Sequence, residues 1–111
     1  MGVPQPAFYS RMQQRYPNVF GALEALGLAT RTAGSLEPKV VHLIQLAAAA
    51  AIRSEGAVHS HVRRALDEGA TADEINHALL AIISTVGFPT VSAALSWAND
   101  VLDQPSHEDE K

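Results

Sequence analysis

Residues 38–52 read PKVVHLIQLAAAAAI, and the fold of the chain follows from this stretch. Apolar residues occupy nearly every position of it, which is typical of a helix that is buried on all sides. A proline suits the first helical turn, where its missing N–H costs no hydrogen bond. We therefore predict a central helix over residues 38–53. His42 and Gln45 interrupt its apolar run, which is shorter than the roughly 20 residues that a membrane-spanning helix needs.

Helical spacing continues on both sides of this central helix. Thr71 and Glu74 form a capping-box pattern ahead of an apolar run, and Gly69 and Gly87 suit the ends of helices. The periodicity predicts further helices over residues 7–16, 18–28, 55–68, 72–86 and 89–104, with a loop over residues 29–35. The predicted fold class is all-α, with about six helices. A single domain would contain an N-terminal helical extension (1–36), a helical core (37–104) and a disordered acidic tail (105–111).

The composition indicates one small domain that associates with copies of itself. The chain has 111 residues, of which 47% are hydrophobic. A monomer of this size buries only about two-thirds of its unfolded surface, so we expect other subunits to cover part of the apolar surface. The net charge is −4 and no basic stripe is present. These features argue against nucleic acid and an anionic membrane surface as partners.

The chain contains no cysteine. Disulfides, thiolate metal sites and thiol-based mechanisms are therefore excluded. The first ten residues have neither the basic segment nor the apolar segment of a secretory signal, so we expect a cytoplasmic protein. We also expect no cofactor and no bound metal.

Three segments carry a resemblance to a known family. They are LIQLAAAAAI from residue 43, HSHVRRALDEGATADEI from residue 59 and GFPTVSAALSWANDVL from residue 87. In this order and spacing they resemble the carboxymuconolactone decarboxylase superfamily, which includes the AhpD-like peroxidases. The resemblance covers residues 43–102. It implies an AhpD-like helical protomer that assembles into a ring, commonly a homotrimer or a homohexamer.

The peroxidase branch of this superfamily has the pattern Glu-x11-Cys-x-x-Cys-x-x-x-His. Aligning its histidine with His61 places the two cysteine positions at Ser54 and Ala57, and the glutamate position at His42. A serine cannot replace the thiol, because its pKa is far higher and it forms no disulfide. AhpD-like peroxidase activity is therefore physically unavailable to this chain.

The decarboxylase branch also lacks the cysteine pair. Its segment carries an acidic residue and a glycine before the same histidine, which Glu55, Gly56 and His61 match loosely. A further acidic residue is usual near position 57, where this chain has Ala57. The resemblance implies a decarboxylase-like lyase with Glu55 as a candidate catalytic residue. The alternative for Glu55 is a favourable charge at the start of a helix.

His61 is the leading candidate catalytic residue. Residues 54, 57, 61 and 65 share one side of a helix, next to its apolar face, so His61 should be partly buried and its pKa can move across neutrality. Arg64 lies three residues further on and can bind a carboxylate beside it. We predict His61 as the proton donor and Arg64 as the anion anchor, ahead of Arg63 or Arg53. The alternative is a hydrogen-bonded core histidine inherited with the fold.

Other residues are secondary candidates. His42 occupies the glutamate position, although a lone buried histidine usually has a structural hydrogen bond. His59 and His61 point about 160° apart on a helix, so one metal ion cannot easily bind both. The candidate catalytic residues are His61, His42 and Glu55. The candidate substrate-binding residues are Arg64, Arg53, His59 and Ser54.

Three functions compete at this stage. The first is cofactor-independent acid/base chemistry on a small carboxylated lactone or keto acid. The second is a non-catalytic oligomeric module of the same fold, and an AhpD-like redox partner ranks last. A polar cavity at His61 with an arginine nearby favours the first function. A His61 packed on all sides favours the second.

Overall fold

The structure, a computed structural model, describes residues 7–104. These residues form six helices of nine residues or more and one single helical turn, with no strand among them. The bounds are α1 Ala7–Arg15, α2 Pro17–Arg31, α3 Pro38–Ala51, α4 Glu55–Asp67, α5 Ala72–Leu80, α6 Ile83–Val86 and α7 Phe88–Leu102. The prediction of an all-α fold with about six helices is confirmed. The predicted acidic tail, residues 105–111, lies outside the described residues.

The helix ends follow local chemistry. Proline stands at the start of α2, α3 and α7, where its fixed φ suits the first turn. The capping box before α5 is complete: Thr71 Oγ1 accepts from the Glu74 N–H at 3.0 Å, and Glu74 Oε1 accepts from the Thr71 N–H at 2.9 Å. Gly69 and Gly87 adopt φ of +93° and +95°, a region that glycine enters without strain. These predicted boundaries are confirmed.

Two predicted boundaries are wrong. The loop prediction over residues 29–35 fails for its first three residues, because α2 continues to Arg31. The hydroxyls of Thr30 and Thr32 donate to the carbonyls of Gly27 and Leu28, at 2.9 and 2.8 Å, so these threonines fit the helix end. The helix predicted over residues 72–86 is broken at residues 81–82, and no glycine or proline there marks the break.

The core lies between α3, α4, α5 and α7. Six large side chains in it are fully buried: Leu46, Ile75, Leu79, Val58, Val62 and Val91. Alanines fill the spaces between them: Ala49, Ala50, Ala65, Ala70, Ala94 and Ala98 are also buried. A methyl side chain lets two helix backbones approach closely, so α3 packs tightly against α4. No helix within residues 7–104 is long and apolar enough to cross a membrane.

The central helix α3 is less enclosed than its sequence predicts. Only His42, Leu46, Ala49 and Ala50 of it are buried. Ile44 and Ile52 remain 52% and 75% exposed. The prediction of burial on all sides is therefore wrong for the isolated protomer, because no helix within residues 7–104 covers these isoleucines.

The first two helices form a hairpin at the edge of the core. The rings of Tyr9 and Phe20 meet edge-to-face, with centroids 5.4 Å apart. No residue of α1 or α2 is buried. Four large apolar residues of α2 are each more than half exposed, namely Val19, Leu23, Leu26 and Leu28. The predicted division at residues 36 and 37 stays a prediction.

The capping box supplies a test of local stability. Replacing Thr71 by alanine removes the oxygen that caps α5, and such a loss costs about 1 kcal/mol of the free energy of unfolding. We expect the melting temperature to fall by roughly 4 °C or more, as is usual for a domain of this size. Ser92→Ala, at an exposed position inside α7, is the control. Equal melting temperatures for Thr71→Ala and the unmodified protein would contradict the capping role.

Candidate functional site

Two histidines face each other across the contact between α3 and α4. The ring centroids of His42 and His61 are 6.1 Å apart, with the rings tilted by 38°. His42 is only 3% exposed, and His61 is half-buried. Within residues 7–104, neither Nδ1 atom has a hydrogen-bond partner, nor does the nearby buried Oε1 of Gln45. Buried polar atoms normally have partners, so this cluster is suited to a bound water or a polar ligand.

Burial and positive charge disfavour the charged form of both imidazoles. The pKa of His61 is lowered to about 4, chiefly by burial and then by the charges of Arg64, His42 and Arg31. The pKa of His42 is lowered by burial, then by Arg31 and Arg64, while Glu68 opposes the shift. A neutral imidazole can accept a proton at pH 7 but holds no extra proton to give away. In this state His61 can accept a proton, and it would act as the predicted proton donor only after taking one up.

Arg31 and Arg64 line one cavity of about 460 Å³ between α2 and α4. Tyr9 and Glu24 also line it, together with apolar side chains of α2. Neither arginine forms a salt bridge with a carboxylate of residues 7–104. Two guanidinium groups without an anionic partner can bind a carboxylate or a phosphate with charge-assisted hydrogen bonds. We name this space the arginine cavity.

His61 lines a different and shallower cavity of about 260 Å³, with Gln45, Ile52 and Ala57 among its other residues. Arg64 does not line it. Arg64 is near enough to His61 for its charge to lower the pKa of His61. The two side chains nevertheless line separate cavities. Ala57 stands where the peroxidase branch has a cysteine, so a methyl group faces this space in place of a thiol.

The remaining predicted residues have other local roles. Ser54 is the N-cap of α4, where its Oγ accepts from the Ala57 N–H at 3.3 Å. Arg53 has a φ of +57° at the end of α3, and its Nη1 donates to Thr90 Oγ1 at 3.0 Å. Arg53 lines neither the arginine cavity nor the His61 cavity. Arg63 lines a third cavity with Phe8, Tyr9, Arg64 and others.

Glu55 and His59 lie on another part of the surface of α4. The Nε2 of His59 is 3.2 Å from the Oδ2 of Asp100 on α7. Glu55 is exposed in the first turn of α4. Neither residue lines the arginine cavity or the His61 cavity, so the structure separates both of them from the histidine pair.

Three residues at these sites escaped sequence reasoning. Gln45 carried a signal, because it is a polar residue one turn after His42 within an apolar helix. No sequence pattern pointed to Arg31 or Asp100, because each of them lies near its partner only in the folded chain. Arg31 is 33 positions before Arg64, and Asp100 is 41 positions after His59.

The fold and the site define a cysteine-free helical domain with a buried histidine pair beside two arginines. The family model of the carboxymuconolactone decarboxylase family matches residues 17–100. The chain therefore belongs to the carboxymuconolactone decarboxylase family. No curated protein matches it.

One solved structure shows the same fold. It is an apo carboxymuconolactone decarboxylase family protein from Legionella pneumophila, with a TM-score of 0.70 and 22% identity. The similarity covers 84% of this chain and 86% of that one. At this identity the likeness concerns the fold alone, and the AhpD-like fold expected from the sequence is confirmed.

The histidine pair gives a measurable pKa. We expect the His61 imidazole to titrate near pH 4 in the folded protein, because burial and the neighbouring arginines disfavour its charged form. The midpoint is read from its ring-proton shifts in an NMR pH titration. Arg64→Gln should raise it, whereas Arg53→Gln, at an arginine that contributes nothing to the shift, should leave it unchanged. A midpoint near 6.5 in the unmodified protein would overturn this electrostatic description.

The same shift makes stability depend on pH. Between pH 6.5 and about 4, the unfolded chain binds a proton at His61 that the folded chain does not bind. The free energy of unfolding therefore falls as the pH falls through this window. We expect His61→Gln to show a weaker loss of melting temperature from pH 7 to pH 4 than the unmodified protein. Parallel curves for the two proteins would refute the linkage.

Proposed function

We propose that this protein is a cofactor-independent enzyme that performs acid/base chemistry on a small carboxylated lactone or keto acid, as a decarboxylase-like lyase. The observation that carries the proposal is that two histidine imidazoles lie near two arginine guanidinium groups. The imidazoles of His42 and His61, whose buried Nδ1 atoms have no hydrogen-bond partner within residues 7–104, lie close enough to Arg31 and Arg64 for these arginines to lower their pKa values. Family membership supports the reaction class.

Binding would begin at the arginine cavity. A substrate carboxylate would pair with Arg31 and Arg64, both of which lack such a partner within residues 7–104. Glu24 lies on the wall of the same cavity, where it accepts a hydrogen bond from Gln13 at 3.3 Å. Its negative charge would repel a substrate anion, so the anion would bind nearer to Arg31 and Arg64 than to Glu24.

Proton transfer would fall to the histidine pair. In the free protein His61 is neutral at pH 7 because its pKa is lowered to about 4. A carboxylate bound at Arg31 and Arg64 would offset two of the charges that hold this pKa down, so the imidazole would become more basic when substrate binds. His61 would then take a proton from the substrate or an attacking water and later return it to the carbon that loses carbon dioxide. His42, 6.1 Å away between ring centroids, would exchange protons with it through a bridging water.

The proposal requires one movement. Arg64 and His61 line separate cavities, so a substrate that contacts both needs the Arg64 side chain to turn toward His61. The two residues are three positions apart on α4, which places them on neighbouring parts of one helix surface. The long arginine side chain can make this turn by changing rotamers.

A thermal-shift screen with small carboxylates, including 4-carboxymuconolactone, tests the proposal. We expect a stabilising ligand whose effect is lost in Arg64→Gln and strongly reduced in His61→Ala, and whose turnover is abolished in His61→Ala. Arg53→Gln is the matched control, because Arg53 is bonded to Thr90 outside both cavities. A ligand that stabilises all four proteins equally, or turnover that survives in His61→Ala, would overturn the assignment.

A second candidate function is a non-catalytic oligomeric module. It is favoured by the exposed apolar surface of the protomer, where Leu26 of α2 is 59% exposed and Ile52 at the end of α3 is 75% exposed. We propose a homotrimer or a homohexamer in either case, with these surfaces in its contacts. The two functions differ in the ligand screen and share the assembly.

The assembly has its own test. In size-exclusion chromatography with light scattering, the unmodified protein should have the mass of three or six chains. Several apolar side chains are more than half exposed in the protomer, and covering them with another subunit lowers the free energy of the system. Leu26→Glu and Ile52→Glu place a charge in that contact and should shift the mass toward the monomer. Ser92→Glu, at an exposed position on α7, should not. A monomeric unmodified protein would refute the assembly.

A further inference from the structure

Three ligand-type side chains meet where α4 begins and α7 ends. Glu55 and His59 lie one turn apart on α4, and Asp100 faces them from α7. One oxygen or nitrogen of each residue lies within 4.8 Å of the other two. His59 Nε2 and Asp100 Oδ2 are 3.2 Å apart. The His59 side chain is 26% exposed and that of Asp100 is 55% exposed, so an ion can reach them from solvent.

We propose that Glu55, His59 and Asp100 form a Zn²⁺ site that leaves a fourth position open to water. Zn²⁺ binds imidazole nitrogen and carboxylate oxygen at about 2.0–2.2 Å in a tetrahedron. Ligand atoms at these bond lengths stand roughly 3.3–3.6 Å apart. The His59–Asp100 pair already has nearly this separation, and an exposed carboxylate closes the remaining gap by rotating about its side-chain bonds.

The chemistry of the three groups selects the ion. The two carboxylates together carry two negative charges, so the site with a bound divalent cation has no net charge. The imidazole nitrogen favours zinc, cobalt and nickel over magnesium and calcium, which prefer oxygen ligands. The set is therefore a site for a transition-metal ion of the zinc type.

The backbone holds the three groups in place. The spacing of Glu55 and His59 is four residues within one helix, which puts them on one face. Asp100 belongs to α7, which packs against α4 in the same buried core as Val58, Val62 and Val101. Because both helices are fixed by this core, the ligands lie close together before any ion arrives.

The site is distinct from the proposed acid/base site. His59 and His61 point about 160° apart on α4, and His59 lines neither the arginine cavity nor the His61 cavity. A metal ion here would connect the start of α4 to the end of α7. Since only the folded chain brings the three ligands together, Zn²⁺ should stabilise the fold, and the free energy of unfolding should rise with the logarithm of the Zn²⁺ concentration once this exceeds the dissociation constant.

Calorimetric titration of the full, untagged chain with ZnCl₂ tests the site, with the melting temperature as a second readout. We expect one Zn²⁺ per chain, a rise in melting temperature with added Zn²⁺, and no such rise with MgCl₂. Asp100→Asn and His59→Gln should each weaken binding at least tenfold. His77→Gln and Asp73→Asn, at exposed positions of α5, are matched controls that should bind like the unmodified protein.

Further measurements distinguish loss of the metal site from loss of the fold. Circular dichroism establishes that each variant folds, and Glu55→Gln tests the third ligand independently of the His59–Asp100 pair. Titration with CoCl₂ should give the intense visible absorption of a tetrahedral ion. Binding that survives in His59→Gln, binding that is lost equally in His77→Gln, or no binding at all would overturn the proposal. His61→Ala should bind Zn²⁺ normally, so failure of the lyase hypothesis and failure of the metal site are distinguishable.

Discussion

The close packing of α3 against α4 is the constraint on which the candidate site depends. Short side chains at the contact, among them Ala49 and Ala50 of α3 and Ala65 of α4, are buried there and let the two helix backbones approach. The same approach buries His42 and half-buries His61. Their Nδ1 atoms are left without partners within residues 7–104. A buried polar atom without a partner is unfavourable, so the core tolerates at this point a defect that a ligand or a water can repair.

The net effect of burial and charge lowers the pKa of both histidines, although Glu68 opposes it at His42. Burial disfavours an imidazolium ion, and the charges of Arg31 and Arg64 add to that effect at both histidines. An anion near the arginines would weaken the second effect and leave the first in place. Proton affinity and anion affinity at this site are therefore linked: each bound species favours the other. Such a linkage suits a base that should become active only when a carboxylate is present.

The start of α4 is built without cysteine in this chain. Alignment of His61 with the histidine of the peroxidase branch places the two cysteine positions of that branch at Ser54 and Ala57. Here they serve helix α4, because the Ser54 hydroxyl accepts from the Ala57 N–H. A cap contributes about 1 kcal/mol to stability, so the serine stabilises the start of the helix without taking part in redox chemistry. The histidine one turn later stays beside an open cavity.

The sequence by itself determined the helices and most of their ends, because prolines, glycines and the capping box of Thr71 and Glu74 act through neighbouring residues. It also singled out His61 and His42 as candidates, because His61 matches the histidine of the resemblance and His42 interrupts an apolar helix; their roles stay predictions. Local sequence patterns did not predict features that depend on whether residues far apart in the chain come into contact. Only the tertiary structure showed that Ile44 and Ile52 remain exposed and that Arg31 joins Arg64 in one cavity. Only the tertiary structure, again, placed Asp100 beside His59. These pairings join residues far apart in the chain, and no periodicity within one helix encodes which helices will meet or which faces will stay open.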